Sequence, residues 1–495
     1  MKKIQSIFCA ASFVAPALLA QTRPNIIFIM SDDHGSQAIS SYGGILKNIV
    51  PTPNIDRIGN EGVRFESAFC TNSISTPSRA VILTGKYSQK NGVFTINDRL
   101  DPNQNNMAKI LTNNGYNTAI IGKWHLGSEP QGFNYFSVLP GQGDYYDPKF
   151  FETGDSASTN FQNTKKAQYL GYSTDIIADN SIKWLENRDK SKPFMLMCQF
   201  KAPHRPFVPA ERHKDLLKDV TIPEPANIYD TYLGKGDYTE RLRQKLENLN
   251  KEDLKVQVPK NITRDEQRKW AYQLYMKDYL RCVAAVDENV GKLLDYLDKN
   301  GLTENTIVVY TSDQGFFMGE HGWFDKRMMY EESLHMPLLI RYPKEIKKGQ
   351  VNKKDMVMNL DFAPTLLDFA GVAADNEMQG ESFRPILDGK KPISWRKAMY
   401  YRYWMHEDGS HHVPGHYGIR TDRYKLIFFY NQPLGKKGTG KLSFPPSWEL
   451  FDLKNDPTEM NNLYNDKKYS KIIEKLKTEL KALKKQYGDE DNLMD

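Results

Sequence analysis

The sequence predicts a mixed α/β protein with a large, mostly parallel sheet flanked by helices, plus a small C-terminal antiparallel sheet with one helix. Three observations lead to this prediction. Short apolar runs end in polar loops, amphipathic stretches lie between them, and after about residue 385 the chain changes to short aromatic segments separated by turn residues. Strands that alternate with helices are typical of parallel sheets covered on both faces.

The first 20 residues have the pattern of a signal peptide. Lys2 and Lys3 precede a mostly apolar stretch that ends at Leu19 and is short for a bilayer span, and Ala20 suits the position before a cleavage point. No other run is long and apolar enough to be transmembrane. We therefore expect residues 1–20 to be removed and the mature protein to be periplasmic or secreted, with no membrane span.

Composition excludes several classes of protein. The chain has 495 residues, a hydrophobic fraction of 39% and an aromatic fraction of 12%, which suit a globular protein with a core rather than a disordered chain. The formal charge of +6 is spread along the sequence, so nucleic acid is not an expected partner. Beyond the signal peptide only Cys70, Cys198 and Cys282 remain, an odd number without metal-ligand spacing, so a disulfide scaffold is not expected.

Four predicted strands run directly into loops that hold charged or histidine residues. The strands are residues 25–30, 117–121, 194–200 and 306–310, and the loops that follow contain Asp32 and Asp33, Lys123 and His125, His204 and Arg205, and Asp313 and Gln314. Ligands of open α/β sheets bind beyond the carboxyl ends of the strands. The pattern therefore predicts a functional site at that edge.

The remaining elements follow from periodicity. Residues 175–187 and 270–300 are amphipathic and predict helices, whereas residues 216–264 are polar and poor in strands and predict a surface insertion. The predicted C-terminal elements are four strands and a lysine-rich helix, at residues 399–404, 416–420, 424–430, 449–453 and about 469–487. We expect a catalytic domain at residues 21–385 and a smaller C-terminal subdomain at residues 386–495.

Two acidic or amide pairs form a candidate metal site. Asp32 and Asp33 follow one strand, and Asp313 and Gln314 follow another. A single Asp-Asp pair more often belongs to a turn or a helix cap. Two pairs at separate strand ends instead favour an oxygen-only site, which suits Ca²⁺ or Mg²⁺ rather than zinc.

A hydroxyl-rich segment, Ser75-Thr-Pro-Ser-Arg79, precedes the apolar run Ala80-Val-Ile-Leu-Thr-Gly85. Its simplest interpretation is the capped start of a helix, with Pro77 in the first turn. That structural role is compatible with chemistry at Ser75, because a helix N-terminus offers amide groups and a dipole to an anion.

The Ser-x-Pro-Ser-Arg pattern with its Leu-Thr-Gly run resembles the signature of type I, formylglycine-dependent sulfatases. The resemblance extends from about Pro24 to Leu463, and it implies an alkaline-phosphatase-like fold. In that family the first residue of the signature, Cys or Ser, is oxidised to Cα-formylglycine (3-oxoalanine). The resemblance therefore implies a sulfatase-maturing enzyme that acts on Ser75. Whether serine is the natural residue here or replaces a cysteine is open at this point.

The resemblance also assigns roles residue by residue. Gly122-Lys-Trp-His-Leu-Gly127 is similar to the family's second signature, and Ala202-Pro-His-Arg-Pro206 and Gly322-Trp-Phe-Asp-Lys326 also match. The implied catalytic and sulfate-binding residues are Ser75, Arg79, Lys123, His125, His204 and Lys326. The implied ligands of Ca²⁺ are Asp32, Asp33, modified Ser75, Asp313 and Gln314. Gln314 departs from the commonest pattern, in which Asn or His is frequent, but it keeps a side-chain oxygen.

The family resemblance implies a mechanism in which a hydroxyl of the aldehyde hydrate attacks sulfur. The other hydroxyl later loses its proton and expels sulfate, with His125 assisting the hydrate. His204 protonates the leaving oxygen, and Arg79, Lys123 and Lys326 hold the sulfate charge.

The substrate expected from the sequence is a sulfated glycan. The region after Tyr400 resembles bacterial mucin- and heparin-desulfating enzymes, which predicts hydrolysis of the 6-O-sulfate of N-acetylglucosamine in heparin, heparan sulfate or mucin. Other sulfated hexosamines, uronic acids or sulfate positions remain alternatives. The residues predicted to contact the sugar are Arg205, His412, His416 and Arg420.

Two other functions remain open from the sequence. One is a phosphatase or phosphodiesterase of the alkaline phosphatase superfamily, which usually uses two metals and an unmodified Ser or Thr. The other is an inactive glycan-binding protein with the same fold, which is disfavoured because every expected catalytic position is present.

Overall fold

The structure is a computed structural model that describes residues 23–154, 161, 166–390 and 394–494, so the predicted signal peptide, residues 1–20, lies outside the described residues. The strands are β1 Asn25–Asp32, β2 Val63–Phe65, β3 Ala68–Phe69, β4 Asn117–Lys123, β5 Tyr135–Leu139, β6 Lys149–Glu152, β7 Ala167–Gln168, β8 Phe194–Pro203, β9 Thr306–Ser312, β10 Phe317–Met318, β11 Phe324–Asp325, β12 Leu338–Arg341, β13 Gln350–Asn352, β14 Val357–Met358, β15 Ala398–Tyr403, β16 His416–Thr421, β17 Tyr424–Phe429 and β18 Ser447–Asp452. The helices are α1 Pro53–Asn60, α2 Ser75–Thr84, α3 Ser88–Asn91, α4 Met107–Asn113, α5 Ser173–Asn187, α6 Tyr238–Arg241, α7 Lys251–Leu254, α8 Arg264–Lys299, α9 Glu331–Leu334, α10 Phe362–Phe369, α11 Arg384–Leu387 and α12 Ser470–Gln486.

A ten-stranded sheet forms the centre of the molecule, in the order β13-β2-β12-β9-β1-β8-β4-β5-β6-β7. The five central strands, from β9 to β5, are parallel to one another. The strands β12, β6 and β7 join antiparallel to their neighbours. The predicted mixed, mostly parallel sheet is thereby confirmed.

Helices cover both faces of this sheet. Ile26 and Phe28 of β1 belong to the core shared with α2 and α10, whereas Ile27 and Ile29 belong to the core shared with α5 and α8. Alternate residues of a strand point to opposite faces, and β1 is apolar at both sets of positions because both faces are buried. The predicted helices 175–187 and 270–300 correspond to α5 and α8.

The small sheet is an antiparallel meander in the order β15-β16-β17-β18, and α12 packs on it. All four strands and the helix lie within a few residues of their predicted positions. Tyr400, Tyr401 and Tyr403 are buried, so these aromatic rings pack the sheet. The division at residues 385 and 386 remains a prediction.

The segment 216–264 contains the short helices α6 and α7 and no strand, as predicted, but it is more than a surface insertion. Ile222, Leu246 and Leu254 are buried and belong to the same core cluster as Tyr275 of α8. The segment therefore packs against α8. Within the described residues, no helix has the length and apolar character needed to cross a membrane.

Candidate active site

The two acidic pairs predicted from the sequence meet at one edge of the sheet. β1 and β9 are parallel neighbours with Ser31 opposite Ser312, so their carboxyl ends bring Asp32 and Asp33 next to Asp313. One oxygen of each of these three buried carboxylates lies within 4.8 Å of the others. The Asp33 amide also donates to Asp313 Oδ1 at 3.1 Å, which fixes one loop against the other.

The turn at Asp33 has an unusual backbone conformation. Its φ is 64°, in the left-handed region that non-glycine residues seldom adopt. The buried Tyr279 hydroxyl of α8 donates to the Asp33 carbonyl at 2.7 Å and accepts from the Gly35 amide at 3.0 Å. One side chain therefore fastens both sides of the turn that presents Asp33.

Helix α2 presents Ser75 and Arg79 to this edge. Ser75 is the first residue of the helix, and its hydroxyl donates to Asp32 Oδ1 at 3.1 Å. Arg79 lies on the same helix face because residues four apart are neighbours, and its Nε donates to Asp313 Oδ2 at 3.1 Å. Arg79 Nη2 is buried without a hydrogen-bond acceptor and lies 3.6 Å from Asp32 Oδ1, so it can donate to an anion bound beside that carboxylate.

Two lysines complete a set of cations around the carboxylates. Lys123, at the end of β4, contacts the Asp32 carboxylate and donates to Gln142 Oε1 at 2.6 Å. Lys326, directly after β11, lies 2.7 Å from both Asp33 oxygens. Each of the three aspartates thus has its own buried cation.

The two predicted histidines lie in loops beside these groups. His125 Nδ1 is 3.3 Å from the Thr76 hydroxyl at the start of α2. His204 Nδ1 donates to the Arg205 carbonyl at 2.6 Å, and its Nε2 lies 3.8 Å from Asp33 Oδ2. Burial lowers the pKa of both imidazoles well below the usual range, and the nearby cations, Lys123 first among them, lower it further.

The residues fit a metal ion. Burial raises the pKa of the Asp33 carboxyl to about 7 against the opposing charge of Lys326, and the Asp313 carboxylate raises it further. A divalent cation would offset this crowding of negative charge. Gln314 Oε1 is buried without a hydrogen-bond donor, while its amide nitrogen donates to Asp33 Oδ1 at 2.5 Å. Three carboxylates and a free amide oxygen form a hard, oxygen-only ligand set.

The site extends towards the C-terminal sheet through two residues that the sequence analysis missed, Asp325 and Arg327, and through His411. Asp325 Oδ1 lies 3.1 Å from Lys326 Nζ, and Asp325 Oδ2 lies 3.2 Å from Arg327 Nε and 2.9 Å from His411 Nε2. His411 Nδ1 is in turn 2.9 Å from Asp408 Oδ1. The clustering of charge in Asp325-Lys-Arg327 was the available signal, but its pairing with His411 has no sequence signature.

The structure changes the assignment of two of the four predicted sugar-binding residues. His416 is fully buried, and both ring nitrogens are used, one accepting from the Met329 amide and one donating to the Pro414 carbonyl. Arg420 pairs with Glu331 at 2.9 Å. Since these contacts stabilise the small sheet against its surroundings, neither side chain is placed to bind sugar.

The other two predicted sugar-binding residues remain near the site. Arg205 follows His204 and pairs with Asp253, its Nε lying 2.9 Å from Asp253 Oδ1. His412 is partly exposed next to His411, and its Nδ1 lies 3.3 Å from Glu407 Oε2. The site residues predicted at the strand ends and at α2 are all brought together.

Comparison with known proteins identifies the family. A family model for sulfatases matches residues 24–372, and a model for the C-terminal part of N-sulphoglucosamine sulphohydrolase matches residues 319–486. The chain belongs to the sulfatase family. It is 46% identical to an N-acetylglucosamine-6-O-sulfatase of Bacteroides thetaiotaomicron over 97% of this chain and 90% of the relative.

Solved structures agree with this assignment. A solved structure of a protein in complex with its substrate, D-glucosamine-2-N,6-O-disulfate, superimposes with a TM-score of 0.86 and 45% identity, covering 96% of this chain and 100% of the other. A phosphonate monoester hydrolase of Agrobacterium radiobacter has a TM-score of 0.73 at 22% identity, over 94% and 96% of the two chains, and shows the shared fold alone. This sulfatase therefore has the predicted alkaline-phosphatase-like fold and is a sulfuric ester hydrolase.

Proposed function

We propose that this sulfatase removes the 6-O-sulfate of N-acetylglucosamine or a related glucosamine at the end of a glycan chain. The observation that carries the proposal is the position of Ser75, 3.1 Å from Asp32 within a ring of three carboxylates and three cations. The similarity to a glucosamine-6-sulfatase over nearly the whole chain supports the sugar. A primary 6-carbon protrudes from a sugar ring and can enter such a buried site.

The proposed nucleophile is formylglycine at position 75. Oxidation of the Ser75 alcohol to an aldehyde removes two hydrogens and two electrons, and we assign this step to a maturing enzyme of the radical type. Water then adds to the aldehyde to give a hydrate with two hydroxyls. An unmodified serine would become a stable sulfate ester, whereas the hydrate has a second hydroxyl through which sulfate is expelled.

The surrounding side chains fit this sequence of steps. One hydrate hydroxyl attacks sulfur as its proton passes to Asp32, the carboxylate that accepts from the hydroxyl of residue 75. The bond from sulfur to the sugar oxygen breaks, and His204 gives that oxygen a proton. His125 then takes the proton of the second hydroxyl, the aldehyde re-forms, and its bond to sulfate breaks. Arg79, Lys123 and Lys326 hold the negative sulfate oxygens throughout. Burial lowers the pKa of His204, the charges of Lys123 and Lys326 lower it further, and a bound sulfate would offset the effect of those charges.

We propose calcium as the ion held by Asp32, Asp33, Asp313, Gln314 and the modified residue 75. Oxygen-only ligands of this number favour Ca²⁺ over zinc. When bound, the ion supplies positive charge that polarises the sulfate group and the hydrate. Chelation should abolish turnover, and Ca²⁺ should restore it better than Zn²⁺; full activity of metal-free protein would contradict the assignment.

The wall formed by Asp325, Arg327 and His411 is our proposed contact for the sugar hydroxyls. Its carboxylate, guanidinium and imidazole are buried, and they begin one residue from Lys326. Hydroxyl groups accept from cations and donate to carboxylates, so such a wall can fix the orientation of a ring whose 6-sulfate lies among the cations.

The experiment that tests this function is a panel of regiochemically defined sulfated monosaccharides. Protein from the natural host should carry a residue 75 that is lighter by two hydrogens and should cleave the 6-O-sulfate of N-acetylglucosamine fastest. Ser75→Ala should lose turnover. Faster cleavage of a 2-O-, 3-O- or 4-O-sulfate would overturn the substrate, and full activity with unmodified serine would overturn the mechanism.

A phosphatase remains a less favoured alternative. Such enzymes usually need a second metal, but within residues 23–154, 161, 166–390 and 394–494 only one group of three or more metal-binding side chains occurs. The sulfatase and phosphatase functions can be separated by comparing the hydrolysis of matched sulfate and phosphate monoesters and by measuring the number of metal ions bound per protein.

We also propose that the protein is exported after removal of residues 1–20. The signal-peptide pattern of that segment supports this. N-terminal sequencing of protein from the host should find a start near Gln21, and recovery of Met1 from most molecules would contradict export.

A further inference from the structure

A second concave surface lies outside the wall of the active site. It is a cleft of about 660 Å³ between the segment 240–248 and the loop that contains His412. The side chains on which the argument rests are Arg241, Arg243, Lys245, Arg264, Glu407 and His412.

This cleft is joined directly to the residues that surround Lys326. The Arg243 amide donates to the His411 carbonyl at 2.8 Å, and His411 in turn contacts Asp325. Lys245 pairs with Trp323 in an isolated β-bridge, and the Phe324 amide donates to the Gln244 carbonyl at 2.9 Å. The cleft therefore adjoins, through backbone contacts, the wall of Asp325 and His411 next to Lys326.

Most of its carboxylates are already paired. Glu407 lies 3.2 Å from Arg241 and 3.3 Å from His412. Glu247 is shared by two arginines, at 2.5 Å from Arg264 and 2.8 Å from Arg268. One carboxylate that serves two guanidinium groups leaves an excess of positive charge.

Two cations of the cleft have no carboxylate within 4.0 Å among the described residues. Arg243 is exposed, and Lys245 is 8% exposed with its ammonium group 5.4 Å from the Tyr232 ring centroid. Burial lowers the pKa of Lys245, Arg264 and Arg268 lower it further, and Glu247 and Glu240 oppose the shift. Glu240 is the remaining acidic side chain of the cleft and forms no ion pair with either cation. An added anion would stabilise the charged form of this buried lysine.

We propose that this cleft binds a carboxylate or sulfate group on the sugar next to the one that is desulfated. This inference rests on the proposed function and makes it more specific. The preferred substrate becomes an acidic glycan in which the 6-sulfated glucosamine is followed by a uronate. A neutral second sugar would not offset the excess charge of Arg243 and Lys245.

The test compares two substrates that differ in length. One is N-acetylglucosamine 6-sulfate, and the other is a heparan-type tetrasaccharide with a terminal 6-sulfated glucosamine followed by a uronate. Arg243→Ala, in fully matured enzyme, should raise KM for the tetrasaccharide about tenfold and leave KM for the monosaccharide unchanged, as expected for loss of one charge-assisted contact. Raising the salt concentration should narrow the difference between variant and wild type.

Two further variants serve as controls for the Arg243→Ala measurement. Arg243→Lys should retain most of the affinity for the tetrasaccharide, and Lys183→Ala, which removes an exposed cation from α5, should change neither KM. An unchanged tetrasaccharide KM in Arg243→Ala, or equal losses on both substrates, would overturn the proposal.

A separate binding measurement distinguishes this inference from the proposed function. If wild type fails to cleave the monosaccharide, the proposed function fails, and calorimetry with the same tetrasaccharide still tests the cleft. Weaker binding to Arg243→Ala than to wild type supports the cleft, and equal binding overturns it.

Discussion

Tyr279 holds the backbone turn that presents Asp33. Its hydroxyl bonds to the Asp33 carbonyl and the Gly35 amide, so removal of this single oxygen leaves both groups without their partner. We expect Tyr279→Phe to raise the Ca²⁺ concentration needed for half-maximal activity at least tenfold, the range typical of residues that position metal ligands. The control is Tyr272→Phe, which removes a hydroxyl from the same helix that bonds to the Pro223 carbonyl. Equal calcium requirements in the two variants would rule out a positioning role.

His321 makes the stability of the fold depend on pH. Burial lowers the pKa of its imidazole to about 4, and Lys235 lowers it further although Asp230 opposes the shift. The unfolded chain therefore binds a proton between pH 6.5 and 4 that the folded protein does not, so stability falls as pH falls through this window, by about 3 kcal/mol. His321→Asn, which tolerates the φ of 57°, should reduce the pH dependence of urea unfolding across that window. A slope equal to that of wild type would show that another group is responsible.

The sequence predicts a site residue correctly where both the residue type and its position at the end of a strand indicate chemistry. Asp32, Asp313 and Lys123 are of this kind, and the structure brings them together. It is not sufficient for Asp325 and His411, which lie far apart along the chain and meet through a tertiary contact. His416 was assigned to the sugar because of its chemistry, but its burial depends on a sheet partner that the sequence does not specify.

Helix α8 begins at a capping box. The Thr263 hydroxyl accepts from the Glu266 amide at 3.2 Å, and the Glu266 carboxylate accepts from the Thr263 amide at 2.7 Å. Thr263→Ala should lower the free energy of unfolding by about 1 kcal/mol, because the first helical amides lose a partner. Thr478→Ala, an exposed substitution within α12, should cost nothing measurable by the same urea titration. Equal stability of Thr263→Ala and wild type would show that water replaces the hydrogen bonds of the capping box.

Helices and strands could be predicted from the sequence where the periodicity of apolar residues agrees with the residue types that mark the start or end of an element. β1 is continuously apolar and ends at aspartates, and α2 begins at the predicted segment, although its N-cap is Ile74 and not Ser75 or Thr76, because the Ser75 hydroxyl donates to Asp32. The turn from Asp325 to Arg327 was not predictable, because non-glycine residues with φ of 74° and 90° depend on surrounding contacts for that conformation. The prediction that segment 216–264 lies on the surface was wrong because its buried residues, such as Leu246, are scattered among charged ones.

A buried arginine of the small sheet, Arg402, holds the C-terminal end of the chain against that sheet. Arg402 of β15 is 2% exposed, lies 2.7 Å from Asp489, contacts Asp491, and stacks 3.6 Å from the Trp404 ring centroid. Replacing both aspartates by asparagine leaves a buried guanidinium without a counter-charge. We expect a loss of about 3 kcal/mol in the free energy of unfolding, measured by urea titration at pH 7. Asp422→Asn, an exposed change in the same subdomain, is the control, and equal losses would contradict this role.

The burial of Ser75 limits when this residue can be modified relative to the folding of the chain. Its side chain is 3% exposed, every residue of α2 is buried, and Asp32 comes from a strand that must already be paired within the sheet. A second enzyme cannot take hydrogens from a carbon enclosed in this way. On the proposed mechanism, oxidation at position 75 would therefore have to occur before α2 packs, when the chain is newly made and still open. On that mechanism, a molecule that folds first would keep its unmodified serine and stay inactive, so the yield of active enzyme would depend on the relative rates of folding and oxidation.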